Sequence, residues 1–393
     1  MKIFHCVESY FPAIGGMQEV VKQLSEKLAL LGHEVTVLTR FHPDRKFTRL
    51  DGVNIIQFDV VGNPTEAITE NEKKYVEFLL NNESDIITFF AAQQWATDLA
   101  LPILHQLKAK KVSVPTGYSG LYNPSYTAYF NRMKTDIHGY DMNVYLSDDY
   151  RDINFAREHK VPESRITLIP NGAAKEEFDK SDPSDFRKKH NIPENDFLIL
   201  HVGSYTGEKG HKEAISIFLK ANITNATILF IGNKYEYFIK RSRYKYPLLL
   251  LRWMLAGFKH KKIIFSFFSR EDTVKAFKSA DLFLFPSNIE CSPIVLFEAM
   301  AGHTAFLATD VGNSKEIARW SNGGLILPTN VNKKGRSYAM VNESVEVLEK
   351  LYHDKAKLKE LSDKGYESWK EKFTWEIITK QYEKLYQNLI NSK

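Results

Sequence analysis

The sequence predicts an α/β chain of two doubly wound, Rossmann-like domains. Three observations carry that prediction. Apolar runs of strand length alternate with amphipathic stretches of helix length through most of the 393 residues. A glycine-rich loop follows a strand in each half, first at Gly15-Gly16 and again from Gly203 to Gly210. At about 100–200 residues per domain, the length suits two domains of similar size facing a cleft.

Composition places the chain in a broad class. With 43% hydrophobic and 26% charged residues there is enough apolar content for two cores. Cys6 and Cys291 stand far apart and suggest neither a disulfide framework nor a metal site. The opening Met1–Val7 is broken at Glu8, too soon for a signal peptide. No apolar run reaches the roughly 18 residues of a membrane-spanning helix. The expected class is a cytoplasmic enzyme or binding protein.

The first half opens with a buried-type strand over Lys2–Val7. A loop through Ser9–Gly16 leads to a helix with Met17, Val20, Val21, Leu24, Leu28 and Leu31 on one face. Gly32 ends it, and Glu34–Thr39 is the next strand. Paired glycines at a helix start let a ligand approach the backbone, although a tight turn explains them as well. Further strands are expected at Val53–Phe58, Asp85–Phe90, Lys111–Pro115, Met142–Leu146 and near Ile166. Helices are expected around Asn71–Leu80 and Ala96–Leu107. Thr116-Gly117-Tyr118-Ser119-Gly120 is a polar loop suited to a pocket wall. From Ala173 to Asn195, with Asp182-Pro183 and Ile192-Pro193, the chain passes to its second domain.

The second half repeats the rhythm. Strands are expected at Phe197–Val202, Ala226–Ile231 and Lys262–Phe268, with helices at His211–Lys220 and Ser269–Ser279, the latter capped by Ser269. Asp281–Phe285 and Thr304–Thr309 flank a loop and a helix, a βαβ step. Pro293 suits the start of that helix, Glu290 falls in the loop before it and Glu298 within it. The carboxyl edge of a parallel sheet, at a helix start, suits a phosphate or a sugar. Taken alone, the two glutamates are equally well read as a solvated loop acid and an exposed helix acid. A last strand near Gly324–Pro328 and C-terminal helices complete the chain.

Several chemistries lack their motifs. There is no Gly-x-Gly-x-x-Gly of a nicotinamide dehydrogenase, no Gly-Lys-Ser/Thr phosphate loop (His211 follows Gly210), and no Asp-x-Asp metal motif. Asp148-Asp149 reads as the start of a helix. Charge is concentrated in one place. Between Lys234 and Lys262 nine Lys or Arg stand against one acid, Glu236, leaving a mildly acidic remainder. This basic, aromatic, leucine-rich insert (234–262) is read either as a helix packing its leucines on the sheet or as a peripheral contact with anionic membrane. Nucleic acid is not expected, since no recognition module accompanies the cations.

Set together, these residues resemble a GT-B-fold retaining glycosyltransferase of the family 4 type (glycosyl transferases group 1). The resemblance rests on the Gly-Gly helix with Gly32-His33-Glu34-Val35, on Ile169-Pro170-Asn171-Gly172 and on Gly203…Lys209-Gly210. Its most specific part is Pro286-Ser287…Glu290 with Glu298-Ala299-Met300-Ala301. It implies domains at 1–180 and 181–372, and a final helix, 373–393, crossing back to the first. It implies a nucleotide-diphosphate sugar donor (UDP or GDP), a glycan or lipid-linked acceptor, and no metal or other cofactor.

By the family pattern Glu298 would hold the ribose and Glu290 the donor sugar near the reacting carbon. Lys209 would meet the pyrophosphate, with N–H groups from Gly15, Gly16, Ile294 and Val295. Ser204 and Phe268 would complete the nucleotide side, and Thr116 and Tyr118 the acceptor side. The chain departs from the pattern where the family has Gly-Arg (Gly203-Ser204), His-Gly (Thr116-Gly117) and Asn-Gly-x-Asp (Ala174). Those departures keep open a non-catalytic nucleotide-sugar-binding homologue. An epimerase on the same scaffold is the other rival, because fold does not fix function.

Overall fold

The computed structural model describes residues 1–60, 69–233 and 260–392. They divide into two compact units, Met1–Asn171 with Trp375–Lys393, and Gly172–Thr374.

The first unit is built on β1 (Lys2–Cys6), β2 (Glu34–Arg40), β3 (Arg49–Leu50), β4 (Val53–Phe58), β5 (Ile86–Phe90), β6 (Lys110–Val114), β7 (Met142–Tyr145) and β8 (Ile166–Leu168). They lie in the order β3-β4-β2-β1-β5-β6-β7-β8, all parallel except β3 against β4. The order reverses between β1 and β5, so the loops after those two strands open at a switch point. The helix Gly16–Leu30 buries Val20, Val21, Leu24 and Leu28, the face its spacing marks out.

The last helix, Trp375–Asn391, belongs to this unit and buries Ile378, Tyr382, Tyr386 and Leu389. Tyr386 Oη and Thr88 Oγ1 on β5 are 2.7 Å apart, and Lys27 Nζ donates to Glu376 at 2.8 Å. The expected helix at Ala96–Leu107 is instead one turn, Trp95–Asp98, followed by a 3₁₀ stretch, Leu101–Gln106. Pro102 lacks the N–H that a continuous helix needs there.

The second unit contains β9 (Phe197–Val202), β10 (Ala226–Ile231), β11 (Lys261–Ser266), β12 (Leu282–Phe285), β13 (Ala305–Thr309) and β14 (Gly324–Leu327). They form one parallel sheet in the order β11-β10-β9-β12-β13-β14. Side chains alternate between two cores. Leu198, Leu200, Phe283 and Phe285 join Phe297 and Trp369 on one face, while Phe197, Ile199, Leu282 and Leu284 join Ile217 and Leu348 on the other. Such two-sided burial is why these strands read as unbroken apolar runs.

The boundary falls at Asn171/Gly172 rather than at 180, because the segment beyond it packs into the second unit. Ala173 bridges to Thr374, its amide donates to the Phe373 carbonyl at 3.0 Å, and Phe178 and Phe186 enter the core. The strand expected to reach Phe268 stops at Ser266. Elements the sequence did not announce include the short helices Lys175–Lys180 and Phe186–Lys189, the helix Ser314–Ser321, and a hairpin of β15 (Thr329–Val331) and β16 (Ser337–Ala339).

Candidate functional site

The second sheet reverses its order between β9 and β12, and the loops leaving those strands carry Lys209 and Glu290. Backbone packing holds the two loops together. Gly210 adopts φ +70°, and a Cβ there would lie 1.8 Å from the carbonyl oxygen of Pro286, so only glycine permits the approach. The amide of Asn288 donates to the Glu208 carbonyl at 2.8 Å. On the other side the Asn313 amide donates to the Cys291 carbonyl at 2.8 Å, and Gly312 (φ +55°) again leaves no room for a side chain.

In this frame Lys209 Nζ donates to Glu290 Oε1 at 2.6 Å, and Ser287 Oγ donates to the same oxygen at 2.7 Å. Thr309 Oγ1, from the end of β13, donates to the Ser287 carbonyl at 2.6 Å and fixes the loop from below. The pair is half-buried, with side-chain exposures of 27% for Lys209 and 12% for Glu290. The helix Ile294–Ala301 begins after Pro293. Its first amides, those of Ile294 and Val295, have no acceptor within the helix and carry its positive end.

Glu298 is buried, 3% exposed, in that helix. A buried carboxylate needs a partner. Arg270, the first residue of the helix Arg270–Ser279, supplies it with Nη1 at 2.5 Å from Glu298 Oε1. The same guanidinium donates through Nη2 to Glu177 Oε2 at 2.6 Å. Ser269 caps this helix by accepting from the Asp272 amide at 3.1 Å, which sets Arg270 at the carboxyl end of β11.

Beneath the glycine loop lies a neutral aromatic floor. His201 on β9 donates from Nδ1 to the Leu284 carbonyl at 2.8 Å, and burial pushes its pKa down to about 4. The His211 ring centroid lies 4.5 Å from that of His201 and 4.2 Å from that of Tyr205. Burial also holds His211 well below the ordinary histidine range. Neutral rings here leave Lys209 as the loop's positive charge.

The other expected residues fall as follows. Ser204 is half-buried at the start of the glycine loop, its carbonyl accepting from the Thr206 amide at 2.8 Å. Phe268 follows β11 and packs its ring on Phe186 and His190 at centroid distances of 5.9 and 4.2 Å. Its neighbour Phe267 is exposed.

In the first unit Gly15 and Gly16 are exposed at the start of the helix Gly16–Leu30, with Gly15 in an extended conformation open to any residue. Thr116 and Gly117 both have positive φ, and the Gly117 amide donates to Asp152 at 2.8 Å. Tyr118 is a core residue, its ring centroid 5.2 Å from that of Phe130 and 5.3 Å from that of Phe155. Burial pushes Asp152 up to about 6 and Asp98, hydrogen-bonded by Tyr129, up to about 7.

Sequence reasoning missed Arg270, Ser287 and Arg336. Only Ser287 lay inside a recognised motif; Arg270 was hidden behind a capping serine, and Arg336 sits in the unanticipated hairpin. Asp148 pairs with Arg157 at 2.8 Å just before the helix Arg151–Glu158. Among the described residues no group of His, Cys, Asp or Glu is arranged to hold a metal. None of the described helices is long and apolar enough to cross a membrane. The basic insert lies outside the described residues from 234 to 259. At its end Lys261 Nζ donates to the Phe218 carbonyl at 2.7 Å, and Lys262 Nζ to the Asn191 carbonyl at 2.5 Å.

Comparison with known proteins supplies the context. Residues 182–368 match the family described as Glycosyl transferases group 1, and residues 14–177 match Glycosyltransferase Family 4. The chain is 26% identical over 357 residues to an uncharacterised glycosyltransferase of Methanocaldococcus jannaschii, covering 84% of this chain and 86% of the relative. It is 23% identical to the lipopolysaccharide glucosyltransferase WaaG of Escherichia coli, covering 83% and 85% of the two chains. The structure of Anabaena HepE in complex with UDP and glucose superposes with a TM-score of 0.74 at 14% identity, covering 99% of this chain and 100% of that one.

Proposed function

Because the chain belongs to the GT-B-fold glycosyltransferases, family 4 in its first half and group 1 in its second, we propose that it is a retaining, metal-independent hexosyl- or glycosyltransferase. Its reaction moves a sugar from a UDP- or GDP-sugar to a glycan, including a lipid-linked one, in surface polysaccharide or glycoconjugate synthesis. One observation carries the reading: Lys209 and Glu290 meet at the β9/β12 switch point, with Glu298 buried in the helix that starts there. A switch point at the carboxyl edge of a parallel sheet is where such folds take nucleotides. The HepE structure with UDP and glucose supports the choice of donor, and the name of WaaG supports the acceptor class.

In the proposed reaction the bond between the sugar's anomeric carbon and the phosphate oxygen breaks, with its electron pair leaving on the diphosphate. Lys209 and the first-turn amides of Ile294 and Val295 stabilise that charge as it develops. The acceptor oxygen bonds to the same face of the carbon, and its proton passes to the departing phosphate oxygen. Glu290 holds hydroxyls of the donor sugar, and its charge favours an oxocarbenium-like transition state. Glu298 accepts from the ribose hydroxyls, oriented by Arg270. Gly15 and Gly16 are assigned to the donor, and Thr116 to the acceptor, by family pattern.

A thermal-shift screen of UDP-, GDP- and ADP-sugars tests the donor class, since a ligand that binds the folded state raises its stability. Stabilisation by one nucleotide series is expected; none by any of the three rejects the reading.

A further inference from the structure

The glycine loop balances its own charge, Glu208 against Lys209, and Ser204 adds none. A nucleoside diphosphate carries more than one negative charge, so Lys209 alone leaves part of it unmatched. The structure ties another cation to this loop: Arg336 Nη1 donates to Glu208 Oε1 at 2.6 Å.

Arg336 is held in place by its backbone. The turn of the β15–β16 hairpin closes around Asn332, whose side chain accepts from the Lys334 amide at 2.9 Å and the Arg336 amide at 3.0 Å. The next residue, Ser337, is held to Asn288 by two hydrogen bonds: its amide donates to the Asn288 carbonyl at 2.9 Å, and the Asn288 side chain donates from Nδ2 to the Ser337 carbonyl at 2.9 Å. The hairpin is therefore fastened to the very loop that carries Glu290, while its arginine reaches the loop that carries Lys209.

The Arg336–Glu208 pair is itself about one-third exposed, 35% and 42% for the two side chains. Pairs this exposed contribute little to stability, so Arg336 exchanges Glu208 for a phosphate at small cost. We propose that Arg336 is the second cation for the donor's diphosphate, released from Glu208 when the nucleotide binds. This rests on the donor reading above and adds to it a residue and a specificity, for diphosphate over monophosphate.

Calorimetric titration with UDP, GDP, UMP and GMP, on the full chain, tests it. Arg336→Gln is expected to weaken binding of the preferred diphosphate by about tenfold or more while changing its monophosphate by less than about threefold. Glu208→Gln, which releases Arg336, is expected to tighten diphosphate binding. Lys334→Ala, at the hairpin tip, serves as the unchanged control, and circular dichroism verifies that each variant folds. The opposite signs separate phosphate binding from a clamp: if Arg336→Gln and Glu208→Gln weaken binding alike, or if Arg336→Gln leaves the diphosphate unaffected, the inference is overturned. If none of the four nucleotides binds the wild type, the donor reading itself fails and this inference falls with it.

Discussion

Lys209 and Glu290, 81 residues apart in the chain, meet at 2.6 Å across the switch point of the second sheet. The contact has a consequence for how a donor would enter. Each charge neutralises the other, so a phosphate bound by Lys209 competes with Glu290 for it. Glu290→Gln removes the competitor. It is expected to bind a nucleoside diphosphate a few-fold more tightly than the wild type, yet to transfer sugar at least about a hundredfold more slowly. Titration with the diphosphate alone and single-turnover transfer check the two halves separately; faster or unchanged transfer contradicts the role given to Glu290.

Glu298 is the carboxylate proposed for the ribose hydroxyls, and Arg270 donates to its Oε1 at 2.5 Å. Glu298→Gln is expected to raise the nucleotide Kd by about ten- to a hundredfold, the range for a hydrogen bond to a charged group. The penalty should disappear with a 2′,3′-dideoxy nucleotide, which has no ribose hydroxyls to lose. An equal penalty with both nucleotides would show that Glu298 acts only through the packing of its helix.

At Gly210 the backbone is left-handed, and a Cβ would overlap the Pro286 carbonyl. Gly210→Ala is expected to destabilise the second unit by at least about 2 kcal/mol, lowering Tm by about 4–8 °C. Differential scanning calorimetry reads this directly. Gly207, φ +88° with open space around its Cβ position, should cost less on the same substitution.

Acid should weaken the fold through the buried histidines. His201 titrates near 4 when folded and near 6.5 when unfolded, so its contribution is complete above pH 6.5 and is lost as pH falls toward 4. The full span is worth about 3 kcal/mol. Lys209 also disfavours an added positive charge there, and a charge on His201 in turn disfavours one on His211. His5, buried in the first unit and pushed down to about 3, acts in the same direction. Asp98 and Asp152, raised to about 7 and 6, act against it, since the folded state gains their protons first. His201→Phe loses the bond to the Leu284 carbonyl, and so is expected to be about 1 kcal/mol less stable at pH 7. Its Tm should nevertheless fall less steeply between pH 6.5 and 4 than that of the wild type; an equal slope contradicts the assignment.

Much of this was legible in the sequence, for a physical reason. Strands buried on both faces, such as Ala226–Ile231 and Phe197–Val202, leave continuous apolar runs that periodicity detects. Glycines that close approach demands, such as Gly210, mark the site's loops. What escaped was set by pairing over long distances. No local pattern brings Arg270 to Glu298 or Arg336 to Glu208, because each pair is made only when separate strands align their carboxyl ends. Tyr118 was read as a pocket residue from its polar neighbours, whereas three-dimensional packing sends its ring into the core. The helix expected through Pro102 shows local chemistry overruling apolar spacing.

The claim on which the rest depends is that the β9/β12 switch point binds the diphosphate and ribose of a nucleotide sugar. Isothermal titration of UDP- and GDP-sugars into the wild type and into a Lys209→Ala, Glu298→Gln double variant addresses it. Saturable binding in the wild type, weakened by about a hundredfold or more in a double variant that keeps its fold, is the predicted result. Binding of equal strength in both proteins would contradict it.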